Sequence, residues 1–252
     1  MQRTLRTLLL AAVLLSSCSV KEDRSDCPCR LEVDLSAFAA LGGGEDYLVS
    51  SDRIPQVIGS RTGSLWCSDV RKGTYTVSVV RPGAGTQVGT GRVVIPEGSE
   101  PDSLYAYAET VDCFGERAFV MTKTWKQFCS VTLRETEPTG LAYGVRSGFG
   151  AFSRADLSPL PSLLSFPVRR DADGALRFRL PRQGAGSRLR LTARETDGQP
   201  WELPLGEWMD KAGYDWSLPS LEDLSLEIDY AASEVRIHVL DWESGDALTL
   251  KI

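Results

Sequence analysis

The sequence predicts an all-β chain folded into two tandem β-sandwich domains. Apolar and polar residues alternate along many short segments, which is the pattern of half-buried antiparallel strands. Turn-forming pairs at Asp173-Gly174 and Asp197-Gly198 interrupt those segments. Helical periodicity is confined to GEWMDKAG at 206–213. Short strands separated by turns, with little helix, are typical of sandwiches.

The strand-like segments follow one another along the chain. The first, LEVDLS, places Leu31, Val33 and Leu35 on one face and polar side chains on the other. The segments around Asp173-Gly174 and Asp197-Gly198 are predicted to be hairpins. The remaining segments are GTYTVSVV at 73–80, SLYAYAETV at 103–111, CSVTLRE at 129–135, ADGALRFRL at 172–180, SRLRLTARETDGQPWEL at 187–203, LSLEIDYAASEVRIHVLDW at 224–242 and DALTLKI at 246–252.

These strands divide into two sets, which we assign to an N-terminal sandwich at 27–122 and a C-terminal sandwich at 123–252. The strand content before Cys113 looks complete in itself, and a second set begins near Cys129. The stretch between the sets, at 112–128, is therefore the predicted junction.

The N-terminus has the layout of a secretory signal peptide at 1–17. Arg3 and Arg6 precede an apolar run at 8–15 that is too short to span a bilayer. Residues 15–18, Leu-Ser-Ser-Cys, resemble the lipobox of bacterial lipoproteins. This resemblance implies cleavage before Cys18 and attachment of lipid to it. An ordinary signal peptide that leaves Cys18 as a thiol is the alternative.

Residues 18–26 would then form a polar tether between the lipid and the fold. Ser19, rather than Asp, follows the cysteine, which by analogy argues against retention in the inner membrane. The Lys-Glu-Asp segment at 21–23 resembles the acidic surface-export signal of Bacteroidota lipoproteins. We therefore predict a surface-exposed protein that is anchored by lipid to the outer membrane.

Charge and cysteine usage restrict the function classes. The full chain has 28 basic and 34 acidic residues, and loss of Arg3 and Arg6 leaves a net charge of −8. Without a basic patch we expect no nucleic-acid partner. Export favours disulfides. Five cysteines remain after Cys18, an odd number, and their spacing does not determine which of them pair. Cys67 and Cys113 are both plausible partners for the neighbouring cysteines at 27 and 29. A zinc site is poorly supported because no C-x-x-C pair occurs.

The residues contain no recognisable catalytic motif, so we expect neither an enzyme nor a bound cofactor or metal. The single histidine, His238, lies on the polar side of a strand. No nucleophile elbow, zinc-protease helix, phosphate loop or dinucleotide fingerprint occurs. Six tryptophans raise the alternative of a glycan-binding surface, although scattered tryptophans usually pack in cores.

The opening residues CSVKEDRSDCPCRLEVDLS, at 18–36, resemble the start of the FimB-type fimbrial anchor family. The size, the two-sandwich layout and the VLDW segment near the C-terminus agree with that resemblance. The family implies two transthyretin-like sandwiches and a non-enzymatic role as an outer-membrane lipoprotein at the base of a type V fimbria. Its partner would be the major fimbrial subunit, joined by strand complementation, and the protein would influence fimbria length.

Carried onto this chain, the resemblance implies lipidation at Cys18 and a partner-binding final strand. Leu248, Leu250 and Ile252 share one face of that strand and are the predicted contacts with the next subunit. Two alternatives remain open at this point: an ordinary last strand of the second sandwich, and a surface lipoprotein that binds glycans or a host protein instead.

We expect Cys18→Ala to release the protein from the membrane fraction, because the acyl chains on Cys18 would be its anchor. One acyl chain holds a protein to a membrane only marginally, whereas the several chains of a bacterial lipoprotein hold it stably. The measurement is fractionation of cells followed by immunoblotting. Cys27→Ala, a change outside the lipobox, is the matched control and should leave attachment intact. Unchanged attachment of the Cys18 variant would contradict the lipoprotein assignment.

Overall fold

The computed structural model describes residues 27–42, 47–58, 64–83, 85–184, 186–195, 198, 200–239 and 248–251. Its first half contains β1 (Cys29–Asp34), α1 (Ser36–Ala39), β2 (Leu48–Ser51), β3 (Ile54–Ile58), β4 (Leu65–Val70), β5 (Thr74–Arg81), β6 (Gln87–Val88), β7 (Arg92–Val94), β8 (Tyr105–Asp112), β9 (Arg117–Met121) and β10 (Trp125–Lys126).

The second half is also dominated by strands. It contains β11 (Phe128–Glu135), β12 (Ala142–Ser147), β13 (Ala151–Ser153), β14 (Pro159–Leu160), β15 (Leu164–Val168), β16 (Leu176–Pro181), β17 (Arg190–Arg194), β18 (Trp201–Leu203), α2 (Leu205–Lys211), β19 (Leu224–Asp229), β20 (Glu234–Val239) and β21 (Leu248–Lys251). Among the described residues, no helix is long and apolar enough to cross a membrane.

The first sandwich packs a three-stranded sheet, in the order β4-β1-β9, against a five-stranded sheet in the order β10-β8-β5-β2-β3. The alternation in β1 places Cys29, Leu31 and Val33 at 0% exposure, facing the second sheet. β1 is central in its sheet because it pairs with β4 antiparallel and with β9 parallel. The first described strand is thus an interior strand of its sheet.

The second sandwich packs a five-stranded sheet, β16-β11-β19-β20-β21, against a four-stranded sheet, β15-β12-β17-β18. Its core consists of the inward side chains of both sheets together with Trp208 and Met209 of α2. The predicted all-β fold class, with two tandem transthyretin-like sandwiches, is confirmed.

Two sequence-based expectations about the connections need correction. The segment around Asp173-Gly174 forms a turn, with Gly174 at a φ of 82°, that is closed by a single antiparallel bridge between Arg170 and Leu176, whereas the strands it joins, β15 and β16, belong to different sheets. The stretch at 112–128 is more than a junction: it contains β9 and β10, which belong to the sheets of the first sandwich. The predicted hairpin after β17 does pair, with β18, although Asp197 lies outside the described residues.

A small sheet shared by the two sandwiches joins them. Its order is β14-β13-β7-β6, and β13 pairs with β7 so that Phe152 lies opposite Val93. A core beneath this sheet combines residues from both halves of the chain. Its buried members are Val80, Val93, Leu104, Ala106, Phe128, Phe152 and Leu157.

Arg154 adds a polar contact across the same joint. Its side chain is 3% exposed, and its guanidinium donates to the carbonyl oxygen of Gly89 at 3.1 Å and to the hydroxyl of Ser50. Two of its three nitrogens thus have acceptors, whereas Nε is buried without a hydrogen-bond partner, and a buried donor gains stability only from the acceptors it reaches. The contact therefore specifies how the second sandwich sits on the first.

We expect Phe152→Ala to lower the free energy of unfolding by about 3–5 kcal/mol, because it empties a fully buried site at the joint. Phe119→Ala, at a side chain that is 55% exposed, is the matched control and should change it by less than about 0.5 kcal/mol. Denaturant titration followed by tryptophan fluorescence measures both. Equal losses in the two variants would show that the shared core does not stabilise the fold.

Candidate functional site

The C-terminal strand β21 lies at the outer edge of the five-stranded sheet of the second sandwich. It pairs antiparallel with β20, so that Leu250 lies opposite Val235 and Leu248 opposite Ile237. Val235 and Ile237 are 0% and 1% exposed. Residues directly opposite each other on paired strands point to the same face of the sheet, so both leucines face the core of the second sandwich.

Burial divides β21 into two faces. Leu248 and Leu250 are half-buried, and Leu250 packs against the core of its own sandwich. Thr249 and Lys251 are exposed, and the Lys251 ammonium lies 2.7 Å from the carboxylate of Glu234. That ion pair is on the surface and contributes little stability. In this state β21 completes its own sheet.

The structure describes two of the three predicted partner-binding residues. Leu248 and Leu250 share one face, whereas Ile252 lies outside the described residues, as does the predicted lipidation site Cys18. Within the described part of the chain, β21 has β20 as its one sheet neighbour. Its other edge presents backbone N–H and C=O groups that a further strand could use.

The outer face of the three-stranded sheet in the first sandwich carries large exposed apolar side chains. Leu65 of β4 and Phe119 and Met121 of β9 are 51%, 55% and 65% exposed, and we call them the N-terminal apolar patch. They lie on both sides of the central strand β1, because Leu65 and Met121 are each paired with Asp34. Grouped exposed apolar side chains mark interaction surfaces.

This patch was not predicted above, although β9 carries a signal for it. In RAFVM at 117–121 the inward positions Ala118 and Val120 alternate with Phe119 and Met121, so both faces of the strand are apolar. A strand with one face in solvent normally carries polar residues on that face. Apolar residues on both faces of β9 therefore depart from the pattern of a half-exposed strand, and this departure is visible in the sequence.

A groove of about 790 Å³ lies on the four-stranded sheet of the second sandwich. Its rim includes Arg146 and Glu202, whose side chains form an ion pair at 3.1 Å. Its two aromatic lining residues, Tyr143 and Phe166, are only 4% and 3% exposed. Stacking of a sugar needs an exposed aromatic face, which the described lining of this groove does not offer.

Most of the described tryptophans pack in or against the hydrophobic cores, as scattered tryptophans usually do. Trp208 is 2% exposed, and Trp66, Trp125 and Trp216 are half-buried against the hydrophobic clusters. Trp201 is 37% exposed at the edge strand β18. The two remaining residues of interest, Trp242 and the side chain of His238, fall outside the described residues.

The buried carboxylate of Glu135 is a structural group. Burial acts to raise its pKa, but hydrogen bonds from Thr139 and Tyr143 and contact with the Arg170 guanidinium at 2.8 Å together hold that pKa below its usual value. A carboxylate that stays ionised among satisfied partners is poorly suited to general acid chemistry. Among the described side chains, no group of three or more His, Cys, Asp or Glu could hold a metal ion.

Comparison with known proteins relates this geometry to solved folds. No family model matches the sequence. No curated protein matches it significantly either. Among solved structures, the fimbrial anchor protein Mfa2 from Porphyromonas gingivalis superposes with a TM-score of 0.59 over 89% of this chain and 96% of its own, at 11% identity. This chain has the fold of a fimbrial anchor protein.

Two further structures share that fold. A candidate polysaccharide-binding protein from Bacteroides thetaiotaomicron has a TM-score of 0.58 and 12% identity, covering 86% of this chain and 100% of its own. A candidate adhesin from Bacteroides ovatus has a TM-score of 0.57 and 12% identity, covering 92% and 97%. The resemblance to the FimB-type anchors is therefore confirmed at the level of the fold, which spans both sandwiches.

We expect Leu250→Ala to lower the free energy of unfolding by about 1–2 kcal/mol, less than a fully buried leucine would cost, because its side chain is half-buried. Thr249→Ala on the exposed face of the same strand should change it by less than about 0.5 kcal/mol. Denaturant titration compares the two variants. Equal stability of both would mean that β21 does not pack on the core in solution.

Proposed function

We propose that this chain is a cell-surface lipoprotein that acts as a fimbrial anchor or minor assembly subunit. It would join the major fimbrial subunit to the outer membrane and influence fimbria length. The observation that carries the proposal is the two-sandwich fold shared with the anchor Mfa2 along nearly its whole length, preceded here by the lipobox at Cys18. The role is mechanical, not enzymatic.

The positions of the chain ends support an anchoring role. The tether from Cys18 leads into β1 of the first sandwich, and β21 lies in the second sandwich. The shared sheet and the buried Arg154 connect the two sandwiches. A pull on a fimbria bound at β21 would therefore pass from the second sandwich to the first through a continuous hydrogen-bonded body.

Strand complementation at β21 is the proposed mode of joining. The strand is held on one side by four residue pairs, and its inward leucines are only half-buried. If β21 leaves its own sheet and pairs with an open sheet of the major subunit, main-chain hydrogen bonds are exchanged for equivalent ones. Leu248, Leu250 and Ile252 would then enter alternate pockets that set the register.

A designed cross-link tests whether β21 must leave. Arg236 and Thr249 lie directly opposite each other on the exposed face of β20 and β21, so Arg236→Cys with Thr249→Cys should form a disulfide that locks the strand in place. We expect cells carrying this double variant to release fimbriae into the medium, because the locked strand cannot be donated. The measurement is the amount of major subunit in the medium against that on cells.

The single variants Arg236→Cys and Thr249→Cys are the matched controls and should retain fimbriae on the cell. Retention by the locked variant, with the disulfide verified by mass, would exclude donation of β21. Phe119→Arg then tests the outer face of the three-stranded sheet: release by this variant alone would place the subunit at the N-terminal apolar patch. Absence of the protein from sheared fimbriae would favour the glycan- or host-protein-binding alternative.

A further inference from the structure

Two fully buried cysteines face each other inside the first sandwich. Cys29 begins β1 in the three-stranded sheet, and Cys113 directly follows β8 in the five-stranded sheet. Both are 0% exposed, and both belong to the same hydrophobic core. The two thiols thus approach each other from facing sheets.

Strand register separates the other described cysteines from this pair. Cys29 lies opposite Val70 on the inner face, whereas Cys67 lies opposite Glu32, so its side chain is on the outer face of the same sheet. Cys27 is exposed and precedes the strand, and Cys129 is buried in the core of the second sandwich. Among the described cysteines, Cys113 is therefore the one that shares the inner side with Cys29.

Local backbone bonds hold the pair in position. The Arg30 N–H donates to the carbonyl oxygen of Glu116 at 2.9 Å, which ties the start of β1 to the turn that follows Cys113. The Cys113 N–H donates to the carbonyl oxygen of Gly73 at 2.8 Å. Burial first, and then the neighbouring Cys29 thiol, its hydrogen-bonding partner, raise the pKa of the Cys113 thiol to about 11.

We propose that Cys29 and Cys113 form a disulfide in the exported protein, which ties the start of β1 to the end of β8 across the sandwich. One sulfur–sulfur bond forms and two S–H bonds break. The two protons and two electrons pass to the disulfide of an exchange oxidoreductase, which is reduced to its dithiol. The bond forms as the sandwich folds, because the folded core excludes an exchange partner and disfavours the reactive thiolate.

The cross-link has a mechanical consequence that rests on the proposed function. Tension from the tether would reach Cys29 first. Without the cross-link that tension would load the hydrogen bonds of β1, one after another from its end. With it, the load passes to β8, which pairs with β5 along eight residues of each strand. The disulfide itself is independent of whether the protein carries a fimbria.

Peptide mapping of the full-length exported protein tests the proposal. The protein is purified without reductant, its free thiols are blocked under denaturing conditions with N-ethylmaleimide, and it is cut with trypsin. The five cysteines after Cys18 then fall on four peptides, at 25–30, 62–71, 93–117 and 127–134. We expect peptides 25–30 and 93–117 to be joined, with Cys29 as the bonded residue by fragmentation, and peptide 127–134 to carry the blocking group.

Variants provide a second readout. Cys113→Ala should remove the joined species and lower the Tm by about 10 °C, as expected for loss of a disulfide that closes a long loop. Cys29→Ala and the double variant should give the same shift, since either change breaks the same bond. Cys129→Ala, at a buried cysteine of the other sandwich, should leave the joined peptides in place.

The outcomes that overturn the proposal are specific. Recovery of peptide 93–117 with a blocked Cys113 from unreduced protein would show that the bond is absent. Joining of Cys113 to Cys27 or Cys67 would show a different pairing. Additive Tm shifts of Cys29→Ala and Cys113→Ala would show that the two residues act separately. None of these results depends on fimbria attachment, so failure here leaves the anchor proposal to its own test.

Discussion

The pairing of β7 with β13 is the constraint on which the arrangement of the molecule depends. Each sandwich has its own core, but this short ladder and the core beneath it make one body of the two. Phe152 supplies the apolar contact, and Arg154 supplies directional hydrogen bonds to the first sandwich. Apolar burial alone is non-directional. The two hydrogen bonds of this buried guanidinium, whose Nε has no partner, also favour one orientation, because another would leave the remaining nitrogens unpaired as well.

The central position of β1 has a similar consequence at the start of the described chain. A first strand at a sheet edge could be peeled from one neighbour, whereas removal of β1 has to break ladders with both β4 and β9. Its parallel pairing with β9 follows the turn after β8, where Cys113 lies. A force applied at the start of β1 would therefore act on the central strand of the three-stranded sheet. This placement suits a protein whose proposed role is to hold a load.

Local pattern predicted most strands but few of their partners. Alternation is a property of neighbouring residues, so strands such as β5 and β11 were visible in the sequence. The β7–β13 pairing was not visible, because three-residue strands are too short to show a period and their partner lies in the other half of the chain. The turn at Asp173-Gly174 was correctly located but its strands belong to different sheets, since turn residues encode local backbone shape and not sheet membership.

The faces of the strands were predicted in part. The leucines of β21 were correctly assigned to one face, whereas the exposure of Phe119 was not predicted.

The state of β21 bears directly on strand exchange. A deeply buried strand would be costly to remove, and a fully exposed one would carry no side chains that could select a partner. β21 lies between these limits: four residue pairs on one side, and leucines that are half-buried over Val235 and Ile237. Leaving its own sheet and joining another exchanges like hydrogen bonds, so their net contribution is small. The direction of exchange is then decided by how completely a partner's pockets bury Leu248 and Leu250 compared with the present sheet. A terminal edge strand of this kind can complete its own domain before assembly and still be released by a subunit that buries the leucines better.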